Sequence, residues 1–223
     1  MIEKLNYEQN IRLQLVKSLR DVSQAQRAYD FVINEQKKPQ PENTSKEASD
    51  GVYIVYDKTP YLISEPFNGE NSKENVYAVA FKFGPVSLML HPRDIVDVKM
   101  TCDDPEPTVA ITEYDIAVTD YDGKINTEGL VKRGLSFKDK LPFDHFIPAL
   151  GQLYIMFALK CRLNEALEYV GHDPLENTWY WSSTEGSATY AWVLTFGYGG
   201  FNYNYKTNEY RVRPVSAFIP SSL

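Results

Sequence analysis

One long helical pattern lies between two groups of short strand patterns, and this order limits the folds open to the chain. Residues 148–170 place apolar side chains on one broad face, and Gly171 follows as the expected C-cap. A shorter helix is predicted at 126–132, with Asn126 or Thr127 as its N-cap. Helices that have strand patterns both before and after them in the sequence predict an α+β domain. The runs typical of strands are 52–55, 76–83, 86–90, 94–100 and 108–119 before the long helix, and 178–182, 191–196, 201–205 and 210–217 after it.

The chain is predicted to comprise an N-terminal helix, a linker and one main domain. Residues 1–38 contain neither Gly nor Pro, and their apolar residues recur at spacings of three, four and seven. The seam is short, so we expect this helix to pack on its own chain or to join a small homo-oligomeric bundle. Residues 39–50 are polar and contain prolines, which predicts a linker, and residues 51–223 form the main domain. The seam consists of Ile11, Leu15, Val22, Ala25, Tyr29 and Val32.

The charge and hydropathy of the chain argue against several partners. Its formal net charge is −7, whereas a nucleic-acid surface needs a basic patch. The most apolar stretch, 153–159, is too short to span a bilayer, and no apolar signal segment follows the charged N-terminus. If Met1 is the natural start, we expect the protein in the cytoplasm or in a phage particle. Cys102 and Cys161 cannot form a disulfide framework and are predicted to be buried thiols.

The segment FGYGGFNYNYKTNEYRVRPV, residues 196–215, alternates Tyr with Asn on a glycine-rich backbone. Strands usually alternate rings with polar residues, but Asn is among the residues they favour least. Tyr supplies stiff contact area, and Gly, Ser and Asn supply adaptable polar contacts, a mixture that is enriched in antibody paratopes. The segment therefore predicts a displayed binding surface, with Tyr190, Tyr198, Tyr203 and Tyr205 exposed on one contiguous face.

The neighbouring residues are predicted to form the framework beneath that surface. Trp179, Trp181, Trp192 and Phe196 are expected in the core, as are Val212 and Val215, and Phe201 is expected to face inward. Arg211 or Arg213 is expected to form a structural ion pair.

Four sequence motifs occur in a fixed order and carry a family resemblance. They are DGKINTEGL at 122–130, FIPALGQLYIMF at 146–157, TWYWSSTE at 178–185, and YAWVLTF with RVRPVSAF between 190 and 218. Over residues 51–218 the chain resembles the C-type lectin-like domain of Bacteroidetes surface and phage proteins, which is related to the formylglycine-generating-enzyme branch. The resemblance implies a C-type lectin-like fold with an N-terminal helical extension.

Members of this group include the variable proteins of diversity-generating retroelements, which rewrite adenines in a C-terminal coding segment. Asn codons are favoured targets and Tyr is a common outcome, so the resemblance implies a ligand-binding surface on a fixed scaffold. Its ligand is expected to be a protein or a surface glycan. A fixed adhesin or a structural subunit of an appendage or virion is the alternative. The expected ligand-binding residues are Gly186, Tyr190, Val193, Thr195, Gly197, Tyr198, Gly200, Asn202, Tyr203, Asn204, Tyr205 and Asn208.

Catalytic and metal-binding patterns are weak, so we expect no enzyme activity, no cofactor and no metal. Neither Ser182 nor Ser183 lies in a nucleophile elbow, and the cysteine pair of the formylglycine-generating relatives is absent from the C-terminal segment. The stretch 120–123 (DYDG) lacks the downstream Glu of a calcium loop, and no sugar-binding motif of calcium-dependent lectins occurs.

Overall fold

The computed structural model describes residues 48–56, 59–63 and 76–219. All of them belong to Lys46–Leu223, the second of the two units into which the chain divides. The N-terminal helix predicted at 1–38 and most of the linker predicted at 39–50 lie outside the described residues, and these two assignments stay predictions.

The first sheet is antiparallel and has the strand order β10-β4-β3-β1-β2. The first and last strands of the described chain therefore belong to one sheet. Tyr53, for example, pairs with Leu62 on one side and with Ala80 on the other. The strands of this sheet are β1 (Gly51–Tyr56), β2 (Thr59–Leu62), β3 (Val76–Phe83), β4 (Val86–Leu90) and β10 (Val215–Ala217).

The second sheet has the order β5-β9-β6-β7-β8, so that β8 forms one of its edges. All of its pairings are antiparallel except β6 with β9, which is parallel. The predicted run 210–217 is divided between the two sheets, because Pro214 has no N–H to donate and ends the ladder. The predicted run 94–100 contributes β5 to this sheet. Its strands are β5 (Ile95–Val98), β6 (Trp179–Glu185), β7 (Tyr190–Thr195), β8 (Phe201–Tyr205) and β9 (Tyr210–Val212).

Four α-helices and one 3₁₀ turn connect the sheets within the described residues, which confirms the α+β class. The long helix predicted at 148–170 is two helices, because the backbone at Leu159 (φ −95°, ψ 2°) leaves the helical region. This break lets the first helix pack on the second sheet and the second helix pack on the first sheet. The elements are α1 (Tyr114–Ala117), α2 (Gly123–Lys132), the 3₁₀ turn Lys138–Lys140, α3 (Leu150–Ala158) and α4 (Lys160–Tyr169).

The predicted C-cap at Gly171 is confirmed by its hydrogen bonds. Gly171 has φ +79°, and its N–H donates to Glu168 O at 3.1 Å. The next N–H, of His172, donates to Leu167 O at 2.8 Å. These two bonds are those of a Schellman motif, in which glycine accepts the left-handed backbone without a steric penalty.

The predicted N-cap of α2 is wrong. The helix begins at Gly123 after Asp122, and Thr127 lies inside it with a buried side chain. The Thr127 hydroxyl donates to Gly123 O at 2.7 Å and accepts the N–H of Ile147 at 2.9 Å. Thr127 therefore ties the helix to the chain that leads into α3, a long-range role that local capping rules do not anticipate.

The strand predicted at 108–119 is also wrong. These residues form an exposed loop that ends in the one-turn helix α1. The loop is fixed at Ile111, whose N–H donates to Glu185 O at 2.8 Å and whose carbonyl accepts the indole N–H of Trp192 at 2.8 Å. Since the second sheet supplies these partners, the loop lies across that sheet instead of extending a ladder.

Two main apolar cores support the sheets. The larger core packs α3 and α4 against both sheets, and the smaller one lies between α2 and the opposite face of the second sheet. Cys102 is half-buried and Cys161 is exposed, so the expectation of two buried thiols is wrong. Among the described helices, none combines the length and the apolar character that crossing a bilayer requires.

Candidate ligand-binding surface

Strand β8 carries its aromatic side chains on the face that it shares with α3. Antiparallel pairing with β7 sets Leu194 opposite Phe201, Trp192 opposite Tyr203, and Tyr190 opposite Tyr205. Paired residues of neighbouring strands point to the same side of a sheet. The row therefore runs from the core at Leu194 and Phe201 outward to the surface at Tyr190 and Tyr205.

We define the aromatic cluster as Tyr114, Tyr190, Trp192, Tyr203 and Tyr205. Trp192 is fully buried, whereas Tyr203 is 41% exposed and Tyr205 is 54% exposed. Ring centroids of Tyr203 and Trp192 lie 5.3 Å apart at 87°, the edge-to-face geometry that aromatic pairs prefer. Tyr190 and Tyr205 lie 4.5 Å apart, and a hydrogen bond with Tyr205 raises the pKa of the Tyr190 hydroxyl. The exposed rings are thus held by one another above a buried indole.

Tyr114 belongs to this cluster although the sequence analysis did not single it out. It opens helix α1, is 48% exposed, and stands edge-on to Trp192 with 4.8 Å between ring centroids. Its hydroxyl donates to Asn202 Oδ1 at 2.7 Å, across 88 residues of sequence. The sequence signal was hidden because Tyr114 lies in a stretch whose partial alternation resembles that of a strand.

The asparagines of β8 cover backbone groups at the open edge of the sheet. Asn202 Oδ1 accepts the N–H of Tyr203, and Asn204 Oδ1 accepts the N–H of Tyr205, both at 2.9 Å. The N–H of Lys206 donates to Thr189 O, which precedes β7, and N–H groups alternate in direction along a strand. The N–H groups of residues 203 and 205 therefore point away from β7. The Tyr/Asn alternation thus places the rings on one face of the sheet, while the Asn amides cap its open edge.

A buried ion-pair network supports the turn that leads into β7. The Glu185 carboxylate, 7% exposed, pairs with the guanidinium of Arg133 and with Lys206 Nζ, the latter at 2.6 Å. Lys206 follows β8 directly, and its N–H donates to Thr189 O at 2.9 Å. Its ammonium also donates to Ala188 O at 3.2 Å. The network fixes the ends of both strands that carry the exposed tyrosines.

The predicted site residues do not all reach the surface. Gly186, Val193 and Thr195 are buried and cannot contact a ligand in this conformation, so including them was wrong. Val193 and Thr195 point to the face opposite Trp192, and there Val193 packs in the smaller core. The predicted site residues that remain at least partly accessible are Tyr190, Gly197, Tyr198, Gly200, Asn202, Tyr203, Asn204, Tyr205 and Asn208.

Tyr198 is separated from the other three predicted tyrosines. It is 64% exposed, and its ring stands edge-on to Trp179 at 6.3 Å. Trp179 pairs with Thr195 and so lies on the face of the second sheet opposite Trp192. The prediction of one contiguous face for all four tyrosines is therefore wrong. Tyr190, Tyr203 and Tyr205 share one face, and Tyr198 lies on the other.

The glycines of the β7–β8 turn serve the turn itself. Gly199 has φ +74°, a left-handed backbone, and its N–H donates to Thr195 O at 2.9 Å. A Cβ there would collide with the ring of Phe157, and one at Gly200 would collide with the ring of Tyr198. These contacts explain Gly199 and Gly200 without a ligand.

The framework predictions are largely confirmed. Trp181, Trp192 and Phe196 are buried, as are Val212 and Val215, whereas Trp179 is only partly buried. The indole N–H of Trp181 donates to Val98 O at 2.9 Å.

The residues of TWYWSSTE that follow Trp181 have structural roles. Ser182 Oγ donates to Trp192 O at 2.9 Å where β6 leaves its register with β7. Thr184 Oγ1 accepts the N–H of Leu150 at 2.9 Å, which holds the start of α3, and donates to Asp120 Oδ2 at 2.7 Å. Ser182 and Thr184 of this motif therefore hold β7 and the start of α3 in place.

No arrangement for metal binding is found among the described residues. Groups of three or more His, Cys, Asp and Glu side chains with suitable geometry are lacking there. Asp120 Oδ2 is engaged by Asn126 Nδ2 at 2.8 Å as well as by Thr184. The stretch 120–123 thus acts as a structural turn that connects α2 with β6.

Comparisons with known proteins bear on the fold alone. No family model matches the chain, and no curated protein matches it. The solved structures include the crystal structure of a fimbrial protein from Bacteroides ovatus ATCC 8483, with a TM-score of 0.52 and 17% sequence identity. The match covers 77% of this chain and 49% of that chain, so the chain corresponds to about half of the fimbrial protein. At this identity the likeness shows a shared α+β fold.

Proposed function

We propose that this chain is a non-enzymatic ligand-binding protein that acts as an adhesin or as a subunit of a surface appendage. The observation that carries the proposal is the row of exposed tyrosines on β7 and β8, fixed above the buried Trp192. An exposed aromatic group on a rigid support is typical of an interaction site, because Tyr offers contact area at low cost in side-chain entropy.

The rigidity of the support favours binding over a purely structural role for these rings. The Glu185 network holds the end of the strand pair where β7 starts and β8 finishes, and Tyr114 is held by Trp192 and Asn202. A surface that is ordered before binding loses less conformational entropy when the ligand arrives. The tyrosines on such a scaffold act as preorganised anchors.

The likeness to a fimbrial protein of Bacteroides supports the appendage part of the proposal. It fits a fixed adhesin or subunit better than it fits any enzyme. The family's C-type lectin-like fold is a finer proposal, supported by the framework roles of TWYWSSTE and by the buried arginine of RVRPV. Oligomerisation through residues 1–38 also stays a proposal.

A diversified receptor-binding protein is the second candidate, and the distribution of residue types favours it. Tyr198, Asn202, Tyr203 and Tyr205 are exposed, whereas Trp192 and Val193, which pair with Tyr203 and Asn202 across the strand ladder, are buried. Sequence change at the exposed positions would leave the core intact. The test is in the DNA, where a nearby imperfect repeat of the segment that encodes 180–213 should differ at adenines. Without such a repeat, the fixed adhesin remains.

Adhesion of the full chain to cell surfaces tests the proposed function. Fluorescent beads that carry the wild-type chain should adhere to at least one of a panel of bacterial and mammalian cells. Beads with Tyr203→Ala/Tyr205→Ala should adhere at least tenfold less, because both anchors are lost. Tyr61→Ala is the matched control, since Tyr61 is 43% exposed but lies in the first sheet.

Circular dichroism should show that all variants are folded. If wild-type beads adhere to no cell of the panel, or adhere equally well without the two tyrosines, the proposed function is wrong.

A further inference from the structure

The charges around the aromatic cluster indicate which ligands it can take. Residues 178–213 contain only five charged side chains. Each of them is paired within the protein: Glu185 with Arg133 and Lys206, Arg211 and Arg213 with Asp94, and Glu209 with Lys99.

The groups that residues 178–213 leave for a ligand on this face are therefore neutral. They are the tyrosine rings and hydroxyls and the Asn202 amide. The Oδ1 atom of Asn202 already accepts two hydrogen bonds, from Tyr114 and from the N–H of Tyr203, so its Nδ2 group is the part that can donate outward. The charged side chains next to Tyr114 in sequence, Glu113 and Asp115, are acidic and exposed. An anionic ligand would meet repulsion from these carboxylates, and residues 178–213 offer it no unpaired cation.

The open edge of β8 does not favour a peptide that adds as a further strand. Strand addition needs the outward N–H groups of the edge. Those of Tyr203 and Tyr205 already donate to the side-chain oxygens of Asn202 and Asn204. A peptide would have to displace both caps, so the ligand is recognised through side chains instead.

The size of the cluster fits a small ligand better than a folded protein. Of its accessible members, Tyr190 is partly exposed, and Tyr114, Tyr203 and Tyr205 are about half exposed. With about 200 Å² for each fully open aromatic side chain, they present on the order of 300–400 Å². A stable protein interface buries roughly 800 Å² on each partner.

We propose that the aromatic cluster binds an uncharged oligosaccharide. The C–H faces of the sugar rings pack on Tyr203 and Tyr205, and Asn202 Nδ2 and the tyrosine hydroxyls hydrogen-bond the sugar hydroxyls. This inference rests on the proposed ligand-binding function and adds the chemical class of the ligand.

An array of neutral, sialylated and sulfated oligosaccharides, probed with the full chain, tests the inference directly. We expect binding to neutral oligosaccharides only, changing less than threefold between about 50 mM and about 500 mM salt, because no ion pair is involved. Tyr203→Ala and Tyr205→Ala should each weaken binding at least tenfold. Preference for sulfated or sialylated sugars, or loss of binding at high salt, would overturn the inference.

Asn202→Asp, compared with a charge control, examines the contribution of the amide donor. The carboxylate still accepts the hydroxyl of Tyr114 and the N–H of Tyr203, but it removes the outward donor and adds a negative charge. We expect unchanged folding and at least fivefold weaker binding. Thr207→Asp, which adds the same charge in the exposed turn after β8, should bind as the wild type does. Unchanged binding by Asn202→Asp would remove the amide from the site.

The adhesion assay separates this inference from the proposed function. Mild periodate oxidation of the cells destroys sugar rings and should abolish tyrosine-dependent adhesion, whereas protease treatment should leave it. If adhesion depends on the tyrosines but resists periodate and is lost after protease, the ligand is a protein. In that case the inference is wrong and the proposed function stands.

Discussion

The guanidinium of Arg213 donates from Nε to Asp94 Oδ1 at 2.5 Å, and both side chains are almost completely buried. The same guanidinium donates to Asp173 O at 2.9 Å, and the Tyr180 hydroxyl donates to Asp94 Oδ2 at 2.6 Å. Burial, followed by the nearby Asp94 charge, raises the pKa of Tyr180, so this hydroxyl stays protonated and continues to donate. The ion pair joins β9, the start of β5 and the loop after α4.

Removing one partner of this pair should be strongly destabilising. Arg213→Ala leaves the buried Asp94 carboxylate without its buried cation and with only the partly exposed Arg211 nearby; breaking such a pair typically costs about 3–5 kcal/mol. Arg211→Ala is the matched control, because Arg211 is partly exposed and lies 3.4 Å from the same carboxylate. It should cost less than about 1 kcal/mol. Urea unfolding followed by circular dichroism measures both. Equal effects would show that the buried pair has no special role.

Scaffold rings and surface rings should differ in their effect on stability. Trp181→Ala removes a fully buried ring and should lower the free energy of unfolding by about 3–5 kcal/mol. Tyr205→Ser removes a half-exposed ring and should cost no more than about 1 kcal/mol. If Trp181→Ala does not fold, Trp181→Phe provides the comparison. A larger loss for Tyr205→Ser than for the Trp181 variant would contradict the assignment of surface and scaffold.

The edge caps on β8 should protect the protein from self-association. The double variant Asn202→Ala/Asn204→Ala exposes the N–H groups of Tyr203 and Tyr205 and breaks the bond from Asn204 Nδ2 to the hydroxyl of Tyr210. We expect concentration-dependent association, because an open edge can pair with another strand. Light scattering after size exclusion measures it. Asn202→Asp/Asn204→Asp retains both acceptors and should keep the mass of the wild type.

Acid should destabilise the fold partly through His172. Burial lowers the pKa of His172 below its ordinary value of 6.5, and the charges of Arg213 and His91 act in the same direction, opposed by Asp173. Below about pH 6.5, His172 binds a proton in the unfolded chain but not in the folded protein. The free energy of unfolding therefore decreases as the pH is lowered, until His172 is also protonated in the folded protein.

Between pH 7.5 and pH 5.5, we expect the wild type to lose more stability than His172→Gln. Denaturant unfolding at the two values gives the comparison. His91 and His145, whose rings lie 5.2 Å apart, are retained in both proteins. Equal losses in the two proteins would exclude His172 as a source of acid sensitivity.

The sequence by itself determined the α+β class, the positions of most strands, the buried tryptophans and the glycine C-cap at Gly171. These features depend on local periodicity and on the conformational freedom of single residues. Both are determined by residues that are close together in the sequence. The structural ion pair was predicted for Arg211 or Arg213; both pair with Asp94 in the fold, but only Arg213 is enclosed.

Tertiary structure alone decided which tyrosines act together. A period of two fixes which residues of one strand share a face, but the turn between β7 and β8 sets Tyr198 beside Trp179 and apart from Tyr203. The inclusion of Tyr114 and the capping by Asn202 depend on contacts between residues 88 positions apart and on β8 being an edge strand. Local sequence determines neither the register across a turn nor the order of strands in a sheet, because both follow from packing of the whole domain.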